Sequence, residues 1–308
     1  MTGPTSNSAA PLPEGHAIGA TDMRIHGQFG VRSWALADSD VPPAVDAAIQ
    51  LEEMGFGALW LRAGVVPLRA RILLENTTSL TLATSVNSIW ADSAGQLAAE
   101  VAMLAKFGNR FLLGLGVSHA PMVERSGRVF EHPLEQTRAY LDLLDLALVP
   151  VRKHQRILAA QGPEMVRLGA ERCGGVHPYL VTTDHTAFTR TLMGPDPVLA
   201  PAVPVIVGTD VASAREAGRL HLSRPYLTLA NYARSFLRQG FTEDDLAGGG
   251  SDRLVDAIVI HGDAGFVAKR LREHLHAGAD HVSVHLLTRR SDPFALDTWR
   301  ALAEALKG

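Results

Sequence analysis

The segment NRFLLGLGVSHAPMV, Asn109–Val123, carries an apolar run into Gly114-Leu115-Gly116 and stops at a hydroxyl and an imidazole, Ser118 and His119. Glycine has no Cβ, so backbone N–H groups at Gly116, Val117 and Ser118 can come close to an anion. His119 is a candidate for proton transfer. The bland alternative is a tight turn. The spacing is not G-x-G-x-x-G, because His119 stands where the third glycine would be, so no dinucleotide fingerprint is present. A second candidate is AAQGPEM, in which Ala160, Gln161 and Gly162 lead into a helix begun by Pro163. The free N–H groups of such a helix start suit a phosphate, and a plain turn with proline in the first helical position is the competing reading.

Further candidates come from a rule of parallel barrels: reacting groups gather where strands end. ATSVNSIW places Ser85, Val86 and Asn87 where an apolar strand should finish. The same rule selects Trp34, Arg62, His177, Tyr179 and His285, and it singles out His177 as a second proton donor. Trp34, Trp90, Arg62 and Tyr179 would wall a substrate pocket, with buried core as the alternative for the tryptophans and a structural ion pair for Arg62. Other chemistries lack their motifs. There is no H-E-x-x-H, no G-x-S-x-G elbow, and AGGGSD has no lysine to make a phosphate loop, so no metal site and no serine nucleophile are expected.

The elements that must position these residues alternate. Strand-like runs at 30–36, 58–62, 80–86, 110–116, 156–160, 176–181, 203–208 and 281–287 are separated by amphipathic helical stretches. Several of the helices open on proline or serine, Ser93 among them, and stop at glycine. Eight β-then-α units in one chain predict a (β/α)8 TIM barrel, with an open Rossmann-like sheet plus a helical domain as the weaker alternative. Residues 223–263 break the rhythm with successive helices and no clear strand, which predicts a helical insertion before the last strand, over the catalytic mouth. Residues 1–22, rich in Pro, Gly and Ser with no apolar core, read as a disordered leader, and 23–308 as a single barrel domain.

Composition narrows the partners. A net charge of −3 without a basic stripe argues against nucleic acid and membrane surfaces. One cysteine, Cys173, excludes an internal disulfide and fits a cytoplasmic location. Four lysines among 29 basic residues point to a GC-rich genome and say nothing about chemistry.

Taken in order, EEMGFGALWLR, LTLATSVNSIWADS, GNRFLLGLGVSHAPMVER, ILAAQGPEMVRLGAERCGGVHPYLV and the stretch from GFTEDDLAGGGSDRLVDA to HLHAGADHVSVHLL resemble the luciferase-like flavin and deazaflavin oxidoreductases. The likeness is greatest to a mostly actinobacterial, coenzyme F420-dependent subgroup, and it spans about 30–287. It implies a barrel with an insertion, a cofactor ring at the C-terminal mouth, and a non-prolyl cis peptide matching Ser85-Val86. It also implies a cofactor tail near Gly116, Val117 and Ser118, and phosphate contacts at Ala160, Gln161 and Gly162. His119 falls where related sugar-phosphate dehydrogenases carry an acidic proton-transfer residue. Arg62-Ala63 replaces the Asp-His of several relatives, so sugar-phosphate oxidation is not implied. The expected activity is hydride transfer between F420 and an activated C=C, C=N or C=O bond of a small molecule. The rivals are an FMN-dependent monooxygenase and a non-catalytic F420 binder, with a metal-dependent barrel hydrolase more remote. A homodimer is compatible with the resemblance.

Overall fold

The computed structural model describes residues 25–64, 67–287 and 292–308. The expected leader, 1–22, lies outside the described residues. The strands are β1 (Phe29–Arg32), β2 (Ala58–Leu61), β3 (Thr81–Thr84), β4 (Asn87–Ser88), β5 (Phe111–Gly116), β6 (Arg156–Leu158), β7 (Gly175–Val176), β8 (Val198–Leu199), β9 (Ala202–Val207), β10 (Ile260–Gly262) and β11 (Val282–Leu286). Every pairing is parallel.

Ten of the eleven strands make eight staves. β3 and β4 are two parts of one stave, since both pair with β5. β8 and β9 form another: β8 pairs β7, β9 pairs β11, and Tyr179 bridges to Ala202 between them. That stave closes the ring, because β11 pairs β1 on its other side. The expected (β/α)8 barrel is therefore the observed fold. The inside is filled by Ala58, Trp60, Ala83, Leu112, Ile157 and Ala200, as a packed core rather than a pore. The opposite faces of the same strands (Leu59, Leu61, Leu82, Leu113, Val282, Val284) join the larger cluster against the helices. Period-two alternation thus decides which residues of each strand point to the mouth axis.

Helices lie where proline, serine and glycine punctuate the sequence. Val41–Met54 starts with prolines in its first turn and ends at Gly55 with φ 100°. Ser93 caps Ala94–Ala102 by accepting the Gln96 N–H at 3.2 Å.

Two expectations needed correction. The run 30–36 is not one strand: the chain leaves β1 after Arg32, and Ala35–Asp38 is a short helix. The insertion also holds a strand, because β10 pairs with the C-terminal end of β9, at Val205–Val207, after the helices Ala230–Arg238, Glu243–Leu246 and Asp252–Ile258. Only Ile260 of its three residues, Ile260-His261-Gly262, is β-branched, so no local pattern marks it among the helices. The insertion has its own apolar core (Leu229, Tyr232, Phe236, Leu254, Val255), which continues into Leu222, Tyr179 and Ala202. Burial of that cluster fixes it over one side of the barrel mouth.

Candidate active site

The mouth is built around a bulge in the third stave. Ala83 is opposite Leu112 and Asn87 is opposite Leu115, so four steps on one strand face three on the other. One extra residue is accommodated, as in a β-bulge. Within it the Ser85–Val86 peptide is cis. Thr84 repairs the interrupted ladder with its side chain: its hydroxyl donates to the Gly114 carbonyl at 3.1 Å and accepts the Gly114 N–H at 2.9 Å.

This bulge explains Gly-Leu-Gly, and not in the way the sequence suggested. A Cβ on Gly114 would lie 1.8 Å from the Thr84 carbonyl oxygen, and one on Gly116 would lie 2.7 Å from Val86 Cγ2. The two glycines are required by close approach of the bulge. The carbonyls beyond them are also engaged. Gly116 O accepts the Ile89 N–H at 3.0 Å and Val117 O accepts the Trp90 indole at 2.8 Å. Ser118 then turns the chain with φ 59°, in the left-handed region.

His177 lies deeper than a proton donor to substrate should. It is 2% exposed and stacks on Trp60 with ring centroids 4.1 Å apart. Its Nδ1 is 2.6 Å from the Ala200 carbonyl, which can only accept, so Nδ1 carries the hydrogen. Nε2 is then the bare nitrogen, and Ser85 Oγ donates to it at 2.9 Å. Burial, aided by the charge of Arg32, lowers its pKa to about 3 and keeps it neutral. Both nitrogens are used, so His177 orients Ser85 and is not a free acid. Its neighbour Trp60 donates from Nε1 to His281 Nε2 at 3.1 Å, and His281 in turn donates from Nδ1 to the Gly27 carbonyl at 2.8 Å.

His119 stands at the rim, before the helix Ala120–Arg125. Its Nδ1 is 3.1 Å from Asn231 Oδ1 on the insertion helix, which leaves Nε2 as a lone-pair acceptor. Burial lowers its pKa below the ordinary value, against the opposing pull of the Asn231 hydrogen bond. The resting imidazole is neutral and presents a base, where the sequence reading expected a donor.

The opposite side of the mouth holds a cluster that sequence reasoning largely missed. Arg32, at the end of β1, is 8% exposed. Its Nη1 donates to His285 Nδ1 at 3.3 Å, and its guanidinium lies 4.4 Å from the Tyr179 ring centroid. Since Arg32 is a donor only, His285 Nδ1 must be bare, and its hydrogen sits on Nε2. Tyr179 OH, 2.9 Å from the same Nδ1, then donates to it and accepts from His221 Nε2 at 2.7 Å. His221 is neutral, lowered by burial and then by Arg32 to about 4, and His285 is pushed well below its usual value by the same causes. Tyr226 and Tyr232 continue this wall: Tyr179–Tyr226, Tyr226–Tyr232 and Tyr232–His119 centroids are 5.5, 4.9 and 5.6 Å apart. An aromatic and imidazole arc therefore runs from the fourth stave to the eighth.

The remaining expected residues are dispersed. Gln161 donates its side-chain amide to the Tyr179 carbonyl, and Ala160 is buried. Beside Gly162 no atom lies within 4 Å of a built Cβ, and the helix Pro163–Arg172 starts there without a side-chain cap. Trp34 is 48% exposed at the rim, 5.9 Å from Arg32. Trp90 braces Val117. Arg62 is turned outward, 46% exposed and ion-paired with Asp38. Exposed pairs contribute ~1 kcal/mol or less. Arg62→Ala is thus expected to change stability by no more than about 1 kcal/mol, as read by denaturant melts; a larger loss would give Arg62 a role beyond its exposed pair.

The family model described as luciferase-like monooxygenase matches residues 23–281. The chain belongs to this family. Solved structures share the luciferase-like fold at low identity. An F420-dependent secondary alcohol dehydrogenase in complex with an F420-acetone adduct superposes with TM-score 0.64 at 13% identity, covering 92% of this chain and 100% of that one. The coenzyme F420-dependent tetrahydromethanopterin reductase of Methanopyrus kandleri gives 0.65 at 15%, with 90% and 99% covered. The FMN-bound oxygenating constituent of 3,6-diketocamphane monooxygenase from Pseudomonas putida gives 0.63 at 11%, with 92% and 97% covered. Sequence comparison with curated proteins finds no match. Membership in the luciferase-like family makes the chain one of a family of oxidoreductases. Among the described residues, no helix is long and apolar enough to cross a membrane.

Proposed function

We propose that this chain is an F420-dependent oxidoreductase that exchanges a hydride between the deazaflavin and an activated C=C, C=N or C=O bond of a small organic substrate. The observation that carries the reading is Asn87. It is 2% exposed, sits just past the cis Ser85–Val86 bond, and its Oδ1 has no hydrogen-bond partner. A buried acceptor left unpaired costs ~1–3 kcal/mol, which an imide-type N–H of a bound ring would remove. The residues fit such a group: Ser85, Val86 and Asn87 would hold the ring, and Gly116–Ser118 with Ala160–Gly162 the phosphate-bearing tail. The uncapped helix start and open space at Gly162 support the tail assignment.

Once bound, the deazaflavin supplies the hydride chemistry. This chain supplies the proton and the surroundings. His119 Nε2 accepts a proton from a substrate hydroxyl in the oxidising direction and returns it to the carbonyl oxygen in the reducing one. The tyrosines of the arc exclude water. Of the rivals, an FMN-dependent monooxygenase is the one a specific observation favours, because the FMN-bound neighbour aligns as closely as the F420 enzymes. A single barrel domain over 23–308, a cytoplasmic location and a homodimer complete the reading.

Equilibrium titration of the purified protein with F420 and with FMN tests it. The expected result is micromolar or tighter binding of F420, with FMN at least tenfold weaker. Tight binding of FMN with none of F420 overturns the choice of cofactor, and binding of neither overturns the reading.

A further inference from the structure

Arg32 is a cation without an anion. Among the described residues no carboxylate lies within ion-pair distance of it, while the exposed Arg62 nearby has Asp38. Burying a guanidinium is costly unless charge or hydrogen bonds compensate it. Here only one corner is compensated: Nη1 meets His285, whereas Nε is buried without a partner and Nη2 makes no hydrogen bond among the described residues. Nε–H and Nη2–H together form one planar edge of the guanidinium, and that edge is unused. It matches the two oxygens of a carboxylate, which accept both bonds in parallel.

The surroundings keep the charge uncancelled. Tyr179 presents its ring face to the guanidinium and its hydroxyl to two imidazoles. Both imidazoles are held neutral, so neither His221 nor His285 competes with Arg32 for an anion. Trp34 on one side and the Tyr179–Tyr226–Tyr232 wall on the other offer flat apolar surfaces beside the charge. From this arrangement we propose that Arg32 is the anchor for the carboxylate of a small substrate with an apolar or aromatic body, bound through the free Nε/Nη2 edge and framed by Trp34 and Tyr179. The assignment rests on the mouth being the active site, and it names the substrate class: carboxylic acids.

The probe pair is benzoate and benzamide, which differ in charge and little in shape. Calorimetric titration of the wild-type protein, with and without saturating F420 or FMN, is expected to show benzoate binding at least tenfold tighter than benzamide. Arg32→Gln should abolish that preference and leave cofactor affinity within twofold. Arg32→Lys, which keeps the charge and loses the fork, should weaken benzoate at least threefold while retaining a preference over the amide. Circular dichroism reports whether each variant is folded. If R32Q does not fold, the wild-type comparison and R32K still decide.

Equal or absent binding of the two probes to wild type overturns the proposal, as does a preference that survives in folded R32Q. Two further results overturn it by naming another occupant. One is inorganic phosphate binding that R32Q abolishes, with no benzoate binding. The other is a tenfold loss of cofactor affinity in R32Q with benzoate unaffected, which gives Arg32 to the cofactor. A wild-type protein that binds neither F420 nor FMN and still prefers benzoate in an Arg32-dependent way supports the carboxylate anchor while overturning the cofactor reading.

Discussion

Replacing His119 with alanine is expected to lower single-turnover rates with F420 by roughly 10²–10⁴-fold, the usual worth of a positioned acid–base group. Cofactor affinity should stay within about twofold, because the side chain faces the insertion helix and not the bulge that would hold the ring. The argument rests on tautomer. With Nδ1–H committed to Asn231 Oδ1, only Nε2 is free, and it carries a lone pair. Alanine removes the acceptor and leaves a proton with no place to go inside an arc of neutral groups. The pH profile gives an independent readout. Burial lowers the His119 pKa below 6.5, so the base form prevails at neutral pH. In the oxidising direction kcat/KM should therefore be full above that pKa and fall as pH drops through it. The acid limb should vanish in H119A. Asn231→Ala should shift the limb without erasing it, since it frees the tautomer and spares the base. Turnover unchanged in H119A at equal cofactor affinity would remove the imidazole from the mechanism.

The fold was legible because burial imposes periodicity. Strand–helix alternation and glycine or proline stops placed six of the eight staves to within a few residues, and the first, drawn as 30–36, ends at Arg32. The sixth was drawn too long, since only Gly175–Val176 and the Tyr179 bridge pair within it. Pairing register is a long-range fact, so neither the split stave β8/β9 nor β10 could be derived locally.

The site was less legible, for reasons particular to each residue. Arg32 and Arg62 both follow short apolar strand segments, and parity puts both toward the inside. What separates them is that Arg32 is still in β1, whereas Arg62 lies one residue past β2 and swings out to Asp38. His221 comes from the helix Val211–Ser223, and Tyr226, Asn231 and Tyr232 from the insertion after it, whose packing over the mouth depends on an apolar core that no local pattern announces. Ser283 and His285 on β11, in step with His281 just before it, are a local signal that an inner face carries polar groups. His177 was read as a proton donor at a strand end, and it lies deeper than that role allows. Its depth was not readable, because depth depends on which strand residue meets Trp60 across the ring.

Gly114→Ala is expected to cost about 3 kcal/mol or more, a large effect for a single methyl group, as seen where overpacking meets atoms that cannot move. The new Cβ would fall 1.8 Å from the Thr84 carbonyl oxygen and 3.1 Å from Val86 Cγ1. The carbonyl is backbone and cannot rotate away as a flexible side chain would. Relief requires β5 to separate from the bulge, which breaks the paired hydrogen bonds between Thr84 Oγ1 and Gly114. For a domain of this size ~3 kcal/mol corresponds to a fall in Tm of roughly 6–12 °C, measurable by calorimetry on the cofactor-free protein. Gly116→Ala meets only a methyl of Val86, at 2.7 Å, and should be milder; Val86→Ala should largely rescue it by removing that methyl. Rescue of G116A but not of G114A by V86A would show that the Gly-Leu-Gly sequence is written for the bulge. If both variants melt like wild type and lose only cofactor affinity, the glycines serve the ligand directly and the steric account fails.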